Sequence, residues 1–300
     1  LCEAAGNMED VGHAYSYLQL SHLYKGNFVQ VLTLKKDLLR TMEQRLNLRW
    51  YVRGLSAASR AYICLGHWNE AIKEGKNALS IAEEYSDKSQ ISFSAWTLSV
   101  AYSFKGDLPR AVEYGELAVQ KAPPGGDKAW AQRYLGWALC RAGDLNRGIE
   151  LLTAGLSISK AGHWMPGVIP TICALGEAYW LSGDHDKAKW TLEEGLEITE
   201  RCGARYYIGF AHRLVGEIAL ENSPVHAASH FDKSIEVLRE IKAENELALA
   251  YAGYGRLLKK QAKIVQAREY LTKALEIFER LGTLIEPDKV REELATLKKA

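Results

Sequence analysis

Almost no net charge separates the basic from the acidic residues of this sequence: 38 Lys and Arg stand against 37 Asp and Glu in 300 residues. A general nucleic-acid-binding surface needs a basic excess, and a solvating tail needs a block of like charge, so neither is expected. Cysteine is scarce, with five thiols at 2, 64, 140, 173 and 202. An odd number without any C-x-x-C pair argues against a disulfide framework and against a zinc site. Scattered thiols fit a reducing compartment, so the chain is read as cytoplasmic, with Cys64, Cys140 and Cys173 as packing residues. No apolar run approaches the roughly 18 residues that a membrane span needs, and no signal peptide is visible. Catalytic signatures are missing too. There is no G-x-x-x-x-G-K-[ST] phosphate loop and no G-x-S-x-G elbow. His226 and His230 are four apart and share a helix face, but two ligands do not complete a metal site, and they read as surface histidines. No enzyme, cofactor or metal is expected.

What is present is repetition. A turn motif recurs as KGNFVQV, LGHWNEA, KGDLPRA, AGDLNRG and SGDHDKA, with glycines at 26, 66, 106, 143 and 183. The spacings are 40, 40, 37 and 40 residues, and two further units follow near Ser223 and Ala262 without the glycine. Small residues stand seven before the turn (Ser59, Ser99, Gly136, Gly176, Gly216, Gly255) and five after it (Ala71, Ala111, Gly148, Ala188, Ala267). The apolar positions between them keep helical spacing, so each unit is a pair of antiparallel helices brought close by small side chains. Pairs are expected near 10–46, 49–85, 88–121, 126–160, 166–202, 206–240 and 244–281, with a Lys- and Glu-rich cap near 287–299. Pro123-Pro124-Gly125-Gly126 is the strongest break and coincides with the shortened unit. The opening Leu-Cys-Glu, and the likeness of CEAAGN to ERCGAR, lead us to read residues 1–6 as the end of a helix from an earlier unit, and the chain as part of a longer protein.

The pattern resembles the tetratricopeptide repeat. Leu135-Gly136, Leu175-Gly176 with Tyr179, and Ala188 carry the resemblance, which extends over nearly the whole chain. It implies an all-α, right-handed superhelical solenoid of about seven antiparallel helix pairs with a C-terminal capping helix. The common unit is about 34 residues, and six more would add roughly 9 Å of helix per unit. Long units of this kind, and the tail YLTKALEIFERLGTLIEPDKVREELA, are similar to the sensor and scaffold arrays of bacterial maltose-regulator-like activators and cyclase-linked ATPases.

In such arrays the first helix of each unit lines a concave surface. The inward positions would then lie thirteen, ten and six residues before each turn. They read Arg53, Ser56 and Arg60; Phe93, Trp96 and Val100; Trp130, Arg133 and Trp137; Pro170, Cys173 and Glu177; Phe210, Arg213 and Glu217; Leu249, Ala252 and Arg256. Trp180 lies near the same face. Five arginines oppose two glutamates there, and Trp and Arg are the residues most enriched at binding hot spots. The expected groove comprises Arg53, Arg60, Phe93, Trp96, Trp130, Arg133, Trp137, Glu177, Trp180, Arg213, Glu217 and Arg256. The reading of function is a non-catalytic scaffold or regulatory domain that binds a protein or peptide, anionic in part. The alternative is a sensor of a sugar or anionic metabolite, and a third reading is self-association through the open N-terminal end.

Overall fold

The computed structural model describes residues 8–44 and 47–297, and among them are fifteen helices and no strand. Inner and outer helices alternate: α1 (Met8–Tyr24) and α2 (Phe28–Gln44), α3 (Leu48–Leu65) and α4 (Trp68–Glu84), α5 (Lys88–Lys105) and α6 (Leu108–Lys121), α7 (Gly126–Ala142) and α8 (Leu145–Ala161). There follow α9 (Met165–Leu181) and α10 (His185–Cys202), α11 (Arg205–Ala219) and α12 (Pro224–Glu240), α13 (Glu244–Lys260) and α14 (Ile264–Leu281), and a single α15 (Glu286–Thr296). The helix read into residues 1–6, positions 45–46 of the first unit and positions 298–299 of the cap lie outside the described residues.

Local chemistry explains the boundaries. The aspartate after the turn glycine caps the outer helix: Asp107 and Asp184 accept from the amides of Arg110 and Lys187. Asn47 and Asp87 do the same for α3 and α5. The extra length of the repeat lies in the helices, most of which run 17 or 18 residues. The shortened third unit takes its loss in α6, only 14 residues long, just ahead of Pro123 and Pro124. The small residues seven before the turn bring paired helices to backbone contact. Ser59 and Ser99 donate their hydroxyls to the carbonyls of Ala71 and Ala111, both at 2.7 Å. A Cβ on Gly136 would stand 2.9 Å from the Gly148 carbonyl oxygen.

The array completes a superhelical turn within its own length and lands on itself. The turn glycines of the first three units, Gly26, Gly66 and Gly106, have φ of +76°, +79° and +94°. An added Cβ would fall 2.5 Å from Ile241 at the first, 2.7 Å from Leu281 at the second and 3.2 Å from the Ile285 amide nitrogen at the third. The 40 residues from Gly26 to Gly66 are thus matched by the 40 from Ile241 to Leu281, while Gly106 meets the short link that leads into α15. The Leu284 amide donates to the Lys105 carbonyl at 2.8 Å. α15, expected only as a solubilising cap, is thus part of the closure: Val290 and Leu297 are buried beneath it and Arg256 reaches Glu293. Across the lumen, Pro170 lacks the N–H that would bond the carbonyl of residue 166. The Tyr24 hydroxyl donates to that Pro166 carbonyl instead, at 2.7 Å, tying the first unit to the fifth.

Gly183 has the same φ of +79° as Gly66, yet nothing lies within 4 Å of its Cβ position. Gly183→Ala should cost only the left-handed backbone term, about 1–2 kcal/mol. Gly66→Ala should cost that plus about 1–3 kcal/mol of overpacking against Leu281. Urea midpoints measure the difference, and equal losses would mean that the inter-turn contact contributes nothing.

Candidate functional site

Closure fills the middle of the lumen and divides it. Tyr24, Tyr134, Trp137, Tyr206 and Tyr207 gather around a residual cavity of about 40 Å³. Rings from distant units meet there: Tyr24 lies 5.8 Å from Tyr207, Phe28 lies 6.4 Å from Tyr206, and Trp137 lies 5.9 Å from Phe210. On one side of this aromatic plug is an upper chamber of about 250 Å³, formed by the first four units and Trp164. On the other is a lower chamber of about 350 Å³, walled by the later units and floored by Glu286 and Lys289 of α15.

The twelve residues expected in one open groove are therefore distributed. Arg53, Arg60, Phe93, Trp96 and Trp130 line the upper chamber. Glu177, Trp180, Arg213, Glu217 and Arg256 line the lower one. Arg133 and Trp137 line neither, because both are consumed by the wall. Arg133 is 2% exposed and donates to the Gly167 carbonyl at 3.0 Å and the Thr171 hydroxyl at 3.2 Å. Its guanidinium lies over Trp130 at 4.2 Å and Tyr134 at 4.5 Å. Trp137 is 3% exposed, and its indole N–H donates to Glu177 at 2.5 Å. Arg133 is thus held in the contact between neighbouring inner helices, and Trp137 belongs to the plug itself.

The two chambers differ in charge balance. In the lower chamber each arginine meets a carboxylate. Arg141 pairs with Glu177 at 3.0 Å, Arg213 with Glu246 at 3.0 Å, and Arg256 bridges Glu217 and Glu293. Burial alone would push the Glu177 carboxyl up, but Arg141 and Arg213 beside it, with bonds from Arg141 and Trp137, hold it below the usual carboxylate range. Glu246 is buried more completely, and there desolvation wins and raises it. In the upper chamber, among the described residues, no carboxylate lies within ion-pair distance of Arg53 or Arg60. Arg53 stacks between Trp50 at 5.4 Å and Phe93 at 4.9 Å, and touches Gln90 at 3.4 Å. Burial lowers its pKa, the sign of a cation short of compensation. Arg60 lies 5.6 Å above Trp96. Asp127 lines the chamber as well, held by the Ser89 hydroxyl at 2.6 Å.

Residues 169–202, most of α9 and all of α10, match the family described as tetratricopeptide repeat. One unit thus matches the tetratricopeptide repeat, and the whole array has that type of helical-repeat fold. No curated protein matches the sequence. Among solved structures, a Rap protein complexed with Competence and Sporulation Factor superposes with a TM-score of 0.61 at 13% identity, over 97% of this chain and 98% of that one. A signal transduction ATPase with numerous domains from Pyrococcus horikoshii, with a tetratricopeptide repeat sensor, gives 0.59 at 13% identity, over 87% of this chain and 41% of that one. Aspartyl phosphate phosphatase F from Bacillus subtilis gives 0.52 at 11% identity, over 89% and 76%. At these identities the likeness is one of fold. The matched 34-residue stretch begins four residues into α9, so the extra length of each unit of this repeat array lies beyond the common motif.

Several lining residues escape the three inward rows. Trp50 and Asp127 stand sixteen before their turns, and Arg141 stands two before its own. Continuing each row by one helical turn in both directions would have found them. Trp164 precedes its helix and Lys289 comes from the next superhelical level, so no row within a repeat reaches either. The thiols lie apart from any such chemistry: burial pushes Cys64 and Cys140 up to about 12 and Cys173 higher still, which leaves them inert. No helix among the described residues is long and apolar enough to cross a membrane.

The buried pair sets an acid limit. The contribution of Glu177 is complete above its unfolded value near 4.5 and is lost as pH falls through its lower folded value. The urea midpoint should drop below about pH 4.5 and less steeply in Glu177→Gln. At pH 7 that variant should lose about 3 kcal/mol, because Arg141 is left buried and unpaired.

Proposed function

We propose that this chain is a non-catalytic regulatory binding domain that holds the acidic group of a protein or peptide segment in the upper chamber. The observation that carries this is the charge imbalance: the lower chamber neutralises its own arginines, while Arg53 and Arg60 face an aromatic-walled space without a carboxylate partner among the described residues. Arg53, between Trp50 and Phe93, and Arg60, over Trp96, are desolvated with no ion-pair partner among the described residues, and an incoming carboxylate would supply one through charge-assisted bonds. The regulatory part of the reading draws support from the Rap complex and the sensor repeats of the pyrococcal ATPase, which share the fold.

The division of the lumen favours a short ligand end over a long strand threaded through the array. About 250 Å³ holds one or two side chains or a C-terminal residue. That volume sits just under the range of small-molecule pockets, so an anionic metabolite is the second reading.

Tryptophan fluorescence reports occupancy, since Trp50, Trp96, Trp130 and Trp164 line the chamber. The titrants are a pool of peptides ending in Asp or Glu, the same pool with amidated ends and Asn or Gln, and a set of aromatic carboxylates. The acidic pool should saturate the signal and the neutral pool should not. Arg60→Ala should weaken the binding by about 1.5–3 kcal/mol, roughly 10- to 100-fold. Saturation by the carboxylates alone would move the assignment to a metabolite sensor. An unchanged affinity in Arg60→Ala would remove the chamber from consideration.

A further inference from the structure

The sixth unit gathers three histidines that line neither chamber. His226 and His230 lie one turn apart on α12, and His212 comes from α11 against which α12 packs. The Nε2 atoms of His226 and His230 are 3.1 Å apart, and the Nδ1 atoms of His230 and His212 are 2.8 Å apart. The remaining His212 nitrogen, Nε2, is buried without a hydrogen bond and lies 3.7 Å from Glu200 on α10. His226 is exposed at the outer surface, while His212 and His230 are half-buried. The sequence showed two surface histidines; the fold supplies the third from 14 residues upstream of the first.

From this geometry we infer that His226 and His230 form a two-histidine binding site for a divalent ion of the zinc, nickel or copper class, with His212 and Glu200 as positioning residues. Two imidazole nitrogens bound to one such ion at about 2.0–2.1 Å are separated by about 2.9–3.4 Å for angles between square and tetrahedral. The observed 3.1 Å lies inside that window before any ion is added. No group of three or more His, Cys, Asp or Glu among the described residues is arranged to hold a metal, so the protein contributes two ligands and water completes the shell. Residues four apart on a helix are the usual chelating pair for these ions.

The hydrogen count closes. Each neutral imidazole keeps one N–H throughout. Without an ion, one of the two facing Nε2 atoms carries the hydrogen that bonds them. Binding needs both lone pairs, so that hydrogen moves to Nδ1 of the same ring and no proton is lost. For His230 the new Nδ1–H donates to His212 Nδ1, 2.8 Å away. His212 then carries its own hydrogen on Nε2, directed toward the Glu200 carboxylate. The ion, His230 and His212 joined by their hydrogen bond, and the Glu200 carboxylate 3.7 Å beyond form a relay of the kind that fixes the tautomer and raises the basicity of a metal ligand. This gives the otherwise unpartnered His212 nitrogen a hydrogen-bonding role.

The test is calorimetric titration of the chain with Zn²⁺ alone at pH 7.5, with circular dichroism to show that each variant remains helical. One ion per chain is expected. His226→Ala, at an exposed first-turn position, should weaken uptake at least about 10-fold, and His230→Gln should do the same. His212→Gln should weaken it about 10- to 100-fold. In addition, ¹⁵N spectra of the zinc-bound parent should show His212 with its hydrogen on Nε2 and its Nδ1 accepting from His230, a tautomer that zinc binding to His226 and His230 does not by itself impose. Absence of stoichiometric uptake, or equal uptake by His226→Ala, would overturn the site. Unaltered affinity in His212→Gln would overturn the relay.

Discussion

The contact between successive superhelical turns is the constraint from which the rest follows. Three left-handed glycines, Gly26, Gly66 and Gly106, present bare backbone to Ile241, Leu281 and Ile285. A side chain at these points would hold the levels apart. Without that approach Tyr24 would not reach Pro166, the tyrosines of the first and sixth units would not meet, and α15 would have no floor to form. An ordinary solenoid is a row of nearest-neighbour interfaces. Here a second set of contacts, five units away in sequence, is superimposed on that row.

An array with 38 basic and 37 acidic residues still carries two unlike interiors. Inner helices α3, α5 and α7 begin at the upper chamber, and α5, α7 and α9 end at the lower. Arginines near the lower end meet glutamates one unit away along the array, on α9, α11, α13 and α15. At the upper end Arg53 and Arg60 lie against aromatic faces and Gln90, and among the described residues no carboxylate stands within ion-pair distance of either. The asymmetry follows from where each arginine stands along its inner helix, with no excess of either charge needed to make it.

The helices, the turns and the close approach within each pair were legible in the sequence, because those features depend on neighbours within one repeat. Ser59 and Ser99 sit against Ala71 and Ala111 as the small-residue rows require. The lumen was not legible in the same way. Arg133 and Trp137 occupy formally inward positions but are taken up by Gly167, Thr171 and Glu177 of the next unit. Whether an inward residue is free depends on helix length and superhelical pitch, and a shortened α6 followed by two prolines breaks the regularity midway. His212 likewise joins His226 and His230 only through the packing of α11 on α12.

A ring closed between distant parts of one chain imposes an order on its own assembly. The first four units, which supply the walls of the upper chamber, leave the ribosome before Tyr206 and Tyr207, which supply its floor. Until those residues arrive, Trp96 and Tyr134 lie open on one side, as apolar surface of the sort that chaperones recognise on a nascent chain. The chamber is therefore a late product of synthesis although nearly all its residues are early ones, and a chain stalled after the fifth unit would display the arginines without their enclosure.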